Sequence, residues 1–331
     1  MMISIIIPNL NGEKFLKGCL DSIKNQEIDE EIEVIIVDNS SKDKSEEIVK
    51  NNFPEAKFIK LSRNYGFAKA VNIGIKNSEG RYILLLNNDT VLDRKFLISL
   101  KNALDNHPEV GFCASKILMM NNKNLIYGVG DIYKNNGTAE LRGYGKPKDM
   151  YKKEEYVFGA CAAASMYRKE LFEKIGLFDE DFFAYYEDVD IDWRAQLSGF
   201  KCLYVPNAII YHYGSATFGD MSDLKIYYGT RNILLVLFKD VPYFLIKKYF
   251  FHILFFQIGR FLFYTLKGKF KPYIKGIIDA FKLYSLMKRK REEVYRKASV
   301  SEEYLRSLIT RVFFRYYLEK VKLKLSNEKS K

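Results

Sequence analysis

Apolar runs that end in polar tips recur four times in the first ninety residues. Ser4–Pro8, Glu33–Val37, Lys57–Leu61 and Tyr82–Leu86 read as strands. Between them, Glu13–Asn25 sets Phe15, Leu16, Cys19, Leu20 and Ile23 at helical spacing. Asp43–Lys50, with a cap near Ser41, and Ala68–Lys76 are the next two helices. This alternation predicts βαβ units, and so an α/β fold on a mostly parallel sheet with right-handed crossovers. Ile83–Leu86 is unbroken apolar sequence, the pattern of a strand covered on both faces. It stops abruptly at Asn87, Asn88, Asp89 and Thr90, and open α/β sheets bind ligands beyond the carboxyl ends of their strands. A carboxylate there can meet a divalent cation; the same four residues also make an ordinary Asx-rich turn.

Later segments are less regular. Met119–Lys153 is polar and rich in Asn, Gly, Lys and Tyr, which predicts a mobile loop or hairpin. Gly159–Ser165 is a run of small residues, suited to close approach by a ligand or to tight packing, and it precedes a helix over Arg168–Ile175. Asp179–Asp192 then holds seven carboxylates interleaved with Phe182, Phe183, Tyr185 and Tyr186. Like charges at helical spacing repel, so such density needs solvent, metal or a function. The aromatics argue for a partly apolar cleft. Trp193, the single tryptophan, reads as core.

Composition changes this picture in two places. With 48% hydrophobic and 28% charged residues, the 331-residue chain has the make-up of one large folded domain plus an appendage. Of its 53 Lys/Arg and 41 Asp/Glu, 23 and 8 lie from Lys239 onward, so the net +12 belongs to the tail. Membrane surfaces and nucleic acids are the usual partners of such a tail. Four dispersed cysteines with no CxxC pair argue against a zinc site or disulfide framework and for a reducing compartment. The amino terminus lacks a basic leader and reads as the first strand. Neither GxxxxGK[ST] nor GxGxxG is present, so a nucleotide must be held without a P-loop or a dinucleotide fingerprint. Asp38, at the tip of the second strand, can accept hydrogen bonds from a base or ribose, or simply cap a turn.

These residues carry a resemblance. Asp38, the loop RNYGFAKAVNIG (Arg63–Gly74) and LLLNNDT (Leu84–Thr90) resemble the N-terminal half of family-2 glycosyltransferases of the GT-A fold. The stretch from Phe158 to Ser215 resembles that family's acceptor half, and YYGTRN (Tyr227–Asn232) is similar to a signature of its rhamnosyltransferase-like subgroup. The likeness covers residues 1–238: a nucleotide-sugar half over 1–118 and an acceptor half over 154–238, with a basic helical tail over 239–331.

The resemblance implies an inverting transfer from a nucleotide-diphosphate sugar, dTDP- or UDP-linked and of the rhamnose type, to a glycan or lipid-linked acceptor. It gives Asp188 the general-base role with Glu187 beside it, and gives Asp89 and His212 a Mg²⁺ or Mn²⁺ ion. Asn87 stands where many relatives carry the first Asp of a D-x-D triplet. The donor-binding set is Pro8, Asn11, Asp38, Asn64, Asn72, Asn88, Asp89 and Arg231; a guanidinium such as that of Arg231 suits a diphosphate. Leu10 replaces the aromatic that packs on the base in many relatives.

The tail completes the expectation. Asn232–Leu266 is aromatic and apolar, but its longest uncharged stretch, Tyr249–Gly259, is far short of the ~20 residues that span a bilayer. Amphipathic helices on an anionic membrane, helped by the basic cluster Lys288–Arg291, fit this pattern and place the chain on the cytoplasmic face. A helical subdomain or a homodimer interface fits it as well. Nucleic acid is disfavoured, since no reader motif is present and the acidic cluster has no use there. A silent scaffold of the same fold is the remaining alternative.

Overall fold

The computed structural model describes residues 2–214 and 221–312; Ser215 and the end of the basic tail lie outside them. The first half gives β1 (Met2–Asn9), α1 (Glu13–Lys24), β2 (Glu31–Asp38), α2 (Ser45–Asn52), β3 (Lys57–Lys60), α3 (Phe67–Lys76), β4 (Tyr82–Leu86), β5 (Thr90–Leu92) and α4 (Phe96–Asn106). The middle adds β6 (Val110–Met119), β7 (Asn122–Gly128), β8 (Asp131–Lys134), β9 (Ala139–Leu141), β10 (Glu155–Val157), β11 (Ala164–Arg168), α5 (Lys169–Ile175), α6 (Glu187–Leu197) and β12 (Lys201–His212). The last part is mostly helical: α7 (Asp223–Lys239), α8 (Tyr243–Lys248), α9 (Phe250–Leu266), α10 (Phe270–Lys282), α11 (Tyr284–Arg296) and α12 (Glu302–Ser307), then β13 (Ile309–Thr310).

Ten strands form one sheet in the order β10-β12-β6-β11-β4-β1-β2-β3, with β5 on β12 and β7 on β6. β1 to β4 pair in parallel, β11 runs antiparallel between β4 and β6, and β12 returns parallel to β6. The sheet is covered on both sides. Ile3, Ile5, Leu84 and Leu86 point to α1 and α4, whereas Ile6, Ile83 and Leu85 point to α3, α5 and α6. The unbroken Ile83–Leu86 run therefore has the burial its pattern predicts.

The sequence leaves two segments open. The polar tip after β4 is not only a turn, because Thr90 opens β5 and pairs with His212 of β12. Of the loop or hairpin expected over Met119–Lys153, the hairpin is found: β7 pairs antiparallel with β6, and β8 and β9 add a small sheet that β13 of the tail joins. Its polarity disguised burial. Asn136 Oδ1 accepts from the backbone and hydroxyl of Thr138, and Asn135 exchanges two bonds with Val312, so several of its buried polar groups are paired internally.

The tail shares a core with α6 and the loop before it. Phe182, Val189 and Trp193 pack with Ile233, Val236, Leu245, Met287 and Leu305, and Trp193 meets Tyr133 and Phe158 edge-on. Two of the four residues in the basic cluster are engaged inside the molecule. Lys290 pairs with Asp179 and Asp181, and buried Arg291 donates to the Val241 carbonyl and stacks on Tyr243.

Candidate active site

Parallel pairing brings the carboxyl ends of β1, β2 and β4 to one edge of the sheet. There Asn9, which is fully buried, donates to Asp38 Oδ1 (2.8 Å) and accepts from Asn88 Nδ2 (2.7 Å). Asp38 Oδ2 takes the Ser41 amide, and Asn11 accepts from the Lys42 amide while donating its own to Ser41 Oγ. Gly12 is required, since a Cβ there would collide with both Asn9 and Asn88. Asp38, Asn11 and Asn88 thus lie together, with Pro8 one residue before Asn9 on the same strand. Asn9, just past the predicted strand Ser4–Pro8, carried no functional expectation.

The register of β5 on β12 sets Asp89 beside His212. His212 Nε2 lies 3.1 Å from Asp89 Oδ1, Tyr127 packs edge-on to the imidazole, and the buried Nδ1 has no partner among the described residues. Among the described residues no three His, Cys, Asp or Glu side chains converge as a complete cation site. A carboxylate and an imidazole nonetheless fit a hard cation whose remaining oxygens come from a diphosphate.

The second part of the site is built on α6. Its approach is strained: Phe183, Tyr185 and Tyr186 all adopt positive φ (63°, 67° and 68°). Such clusters persist only where surrounding structure enforces them, and they are concentrated at functional sites. Here the enforcement comes from α7. Asn232 Nδ2 reaches the carbonyls of Phe182, Ala184 and Tyr185, and Arg231 Nη2 reaches those of Asp181 and Phe182. Arg231 is therefore a strut behind the loop, with these donors engaged by backbone and not turned to a diphosphate. Asn232 carried no expectation of its own.

Glu187 and Asp188 follow this loop and line a cavity of ≈ 370 Å³ with Asp131, Cys161, Arg260 and Tyr264. Asp188 accepts from the amides of Val189 (2.9 Å) and Ala162 (3.4 Å). The neighbouring Ala163 carbonyl accepts from the Asn87 amide at the tip of β4 (2.9 Å). Adjacent residues of the small-residue turn thus join the strand tip to Asp188. The run also serves packing: Gly159 leaves room for Asp192, whose Oδ1 accepts from the Ala160 amide.

Burial pushes Asp188 above the usual carboxylate range, against the opposing effect of its two amide donors. Glu187 is pushed well above it by burial and then by the Asp188 charge, and its Oε2 has no partner among the described residues. Asp131 and Asp192 are raised in the same way, first by burial and then by the surrounding carboxylates. Asp131, some sixty residues away in sequence, gave no signal of joining this group.

Two residues of the donor loop fall elsewhere. Asn72 staples α3 to the α6 approach, accepting from the Phe178 amide and donating to the Phe178 carbonyl and to Glu180. Asn64 accepts from the Gly66 amide in a local Asx turn.

Known proteins extend this geometry. Residues 4–176 match the family model described as glycosyl transferase family 2. Over 242 residues the chain is 24% identical to the poly-beta-1,6-N-acetyl-D-glucosamine synthase of Staphylococcus epidermidis, a match covering 70% of this chain and 55% of that protein. An uncharacterized glycosyltransferase of Rickettsia prowazekii is 29% identical over 203 residues, 57% of each chain. The chain thus spans little more than half the length of these relatives. Its fold is similar to that of S. aureus TarS residues 1–349 in complex with UDP-GlcNAc (TM-score 0.57, 21% identity, 89% of this chain and 90% of that one). It is also similar to a Pyrobaculum calidifontis mannosyltransferase in complex with GDP-Man and Mn²⁺ (TM-score 0.53, 13% identity, 89% and 85%).

Proposed function

The chain belongs to glycosyl transferase family 2, and on that premise we propose that it is an inverting transferase working from a nucleotide-diphosphate sugar. The acceptor is a hydroxyl of a polysaccharide or lipid-linked glycan at the cytoplasmic face of the membrane. One observation carries the reading: Asp188, with no salt bridge among the described residues, lines a cavity and is linked through Ala162–Ala163 to the polar tip of β4.

In this reading the acceptor oxygen attacks the anomeric carbon as the bond to the diphosphate oxygen breaks. Its proton passes to Asp188, whose raised affinity for protons suits a base working near neutrality. Glu187 orients the acceptor or shares that proton, because two adjoining carboxyls titrate as a pair. The strand-tip group of Asn9, Asp38 and Asn88 receives the nucleoside, and Asp89 with His212 faces the diphosphate. A Mg²⁺ or Mn²⁺ ion held by Asp89 and His212 would neutralise charge building on the leaving group.

The fold neighbours in complex with UDP-GlcNAc and GDP-Man motivate a panel of UDP, dTDP, GDP and CMP, each with and without Mn²⁺. A native-state ligand raises the melting midpoint with its affinity and concentration. One nucleotide should do so in a metal-dependent way, and Asp188→Asn should keep that shift while losing transfer from the matching sugar donor. Absence of any shift would favour the silent scaffold.

A further inference from the structure

Helix α9 (Phe250–Leu266) has two faces with different surroundings. On the inner face Arg260 donates to Thr230 of α7 (2.9 Å), Tyr264 packs on Tyr273 of α10, and both line the cavity that contains Asp188. On the outer face Phe251, Leu254, Phe255, Ile258, Leu262 and Leu266 are exposed by 67, 40, 56, 46, 53 and 86%. Their spacing of three and four residues places them on one stripe. α9 contains no fully buried residue, and its only formally charged side chain, Arg260, is the one at the cavity.

Soluble monomers rarely leave so continuous an apolar stripe open. The helix cannot hide it by spanning a bilayer: 17 residues are too few, and no described helix is long and apolar enough to cross. The charges beside the stripe identify its occupant. Lys247 and Lys248 precede α9, Lys267 and Lys271 follow it, and all four are exposed. A second copy packed stripe to stripe would bring lysines at the helix ends against lysines. An anionic lipid surface offers acyl chains to the stripe and phosphates to the lysines.

We propose that α9 lies flat in the interface of an anionic bilayer, with the Asp188 cavity held directly behind it. The inference deepens the membrane-side reading above, and it rests on that reading only for what the cavity does. One helix then serves as cavity wall and as membrane anchor, so an acceptor that reaches Asp188 approaches along the lipid surface.

The test is co-sedimentation of the full chain with phosphatidylcholine vesicles, with and without phosphatidylglycerol. The wild type should sediment with the anionic vesicles and stay in solution with the neutral ones. Phe255→Glu/Leu262→Glu changes two exposed positions and should reduce anionic-vesicle binding at least tenfold. Lys247→Glu/Lys271→Glu should weaken it about fivefold or more per lysine, less so in high salt. Asp188→Asn should bind vesicles as the wild type does, which separates failure of the anchor from failure of the catalytic assignment. Equal binding by the wild type and the α9 variant, or none by the wild type, overturns the proposal. So does a dimer in sedimentation equilibrium that Phe255→Glu/Leu262→Glu dissociates.

Discussion

Asp190 and Asp192 stand two residues apart on α6, neither with any exposed surface, and their surroundings are opposite. Asp190 receives two donors from Arg194 (2.6 and 2.8 Å) and also pairs with Lys239. Around it Asp179 and Asp181 meet Lys239 and Lys290, so three carboxylates face three cations. A fourth, Asp240, is pushed well above its usual range by burial and then by the Asp190 charge. Asp192 has one amide donor on Oδ1 and nothing on Oδ2; with Asp131, Glu187 and Asp188 it forms a group that no salt bridge reaches among the described residues. The first arrangement is one in which charge serves folding. The second costs stability, because buried carboxyls are held where ionising is unfavourable. Chains keep such groups where chemistry needs them.

Removing a partner on the neutralised side should have the largest effect on stability. Asp190→Asn leaves Arg194 and Lys239 facing a neutral amide in the interior, and should lower unfolding free energy by about 3–5 kcal/mol in urea titrations. Asn232→Ala comes next. It withdraws the amide donor from the carbonyls of Phe182, Ala184 and Tyr185, the first of which Arg231 still holds, at a cost of about 1–3 kcal/mol. Because that loop aims Glu187 and Asp188, kcat should fall while the donor's midpoint shift is kept. An unchanged kcat would make Asn232 structural only.

The smallest effect lies on the unpaired side and has the reverse sign. Asp192 binds its proton more tightly folded than unfolded, so its contribution worsens as pH rises above the ordinary carboxylate range. Asp192→Asn should therefore raise stability by about 1 kcal/mol at pH 8 and by little near pH 4. Asp179 behaves oppositely. Burial alone would raise it, but Lys239 and Lys290 hold it below its usual range, and that stabilisation is lost as pH falls. Urea midpoints at the two pH values check both signs.

Much of this was legible in the sequence. Unbroken apolar runs marked the strands, and the polar residues after Leu86 marked the carboxyl edge of the sheet, where open α/β folds in general bind ligands. Aromatics threaded through seven acids marked the α6 approach as a cleft. The division of those acids was not legible. Lys239, Lys290 and Asp131 reach the group from 50 to 110 residues away, and no local pattern tells which acid they neutralise or crowd. Arg231 shows the same limit. A guanidinium in a recognisable motif points to a phosphate, while the carbonyls that occupy it belong to a loop some fifty residues earlier. The polar stretch after Met119 reads as a loop or hairpin with no sign of burial, because its buried asparagines bond to Thr138 and to Val312 of the tail, which no local pattern shows.

The most direct test measures turnover and unfolding free energy together for Asp188→Asn. Transfer should fall by about 10²–10⁴-fold, the range typical of a lost general base, while stability stays equal to the wild type or rises. If Asp188→Asn instead loses several kcal/mol as Asp190→Asn does, the two sides of α6 do not differ. The unpaired acids would then be part of the scaffold and not its chemistry.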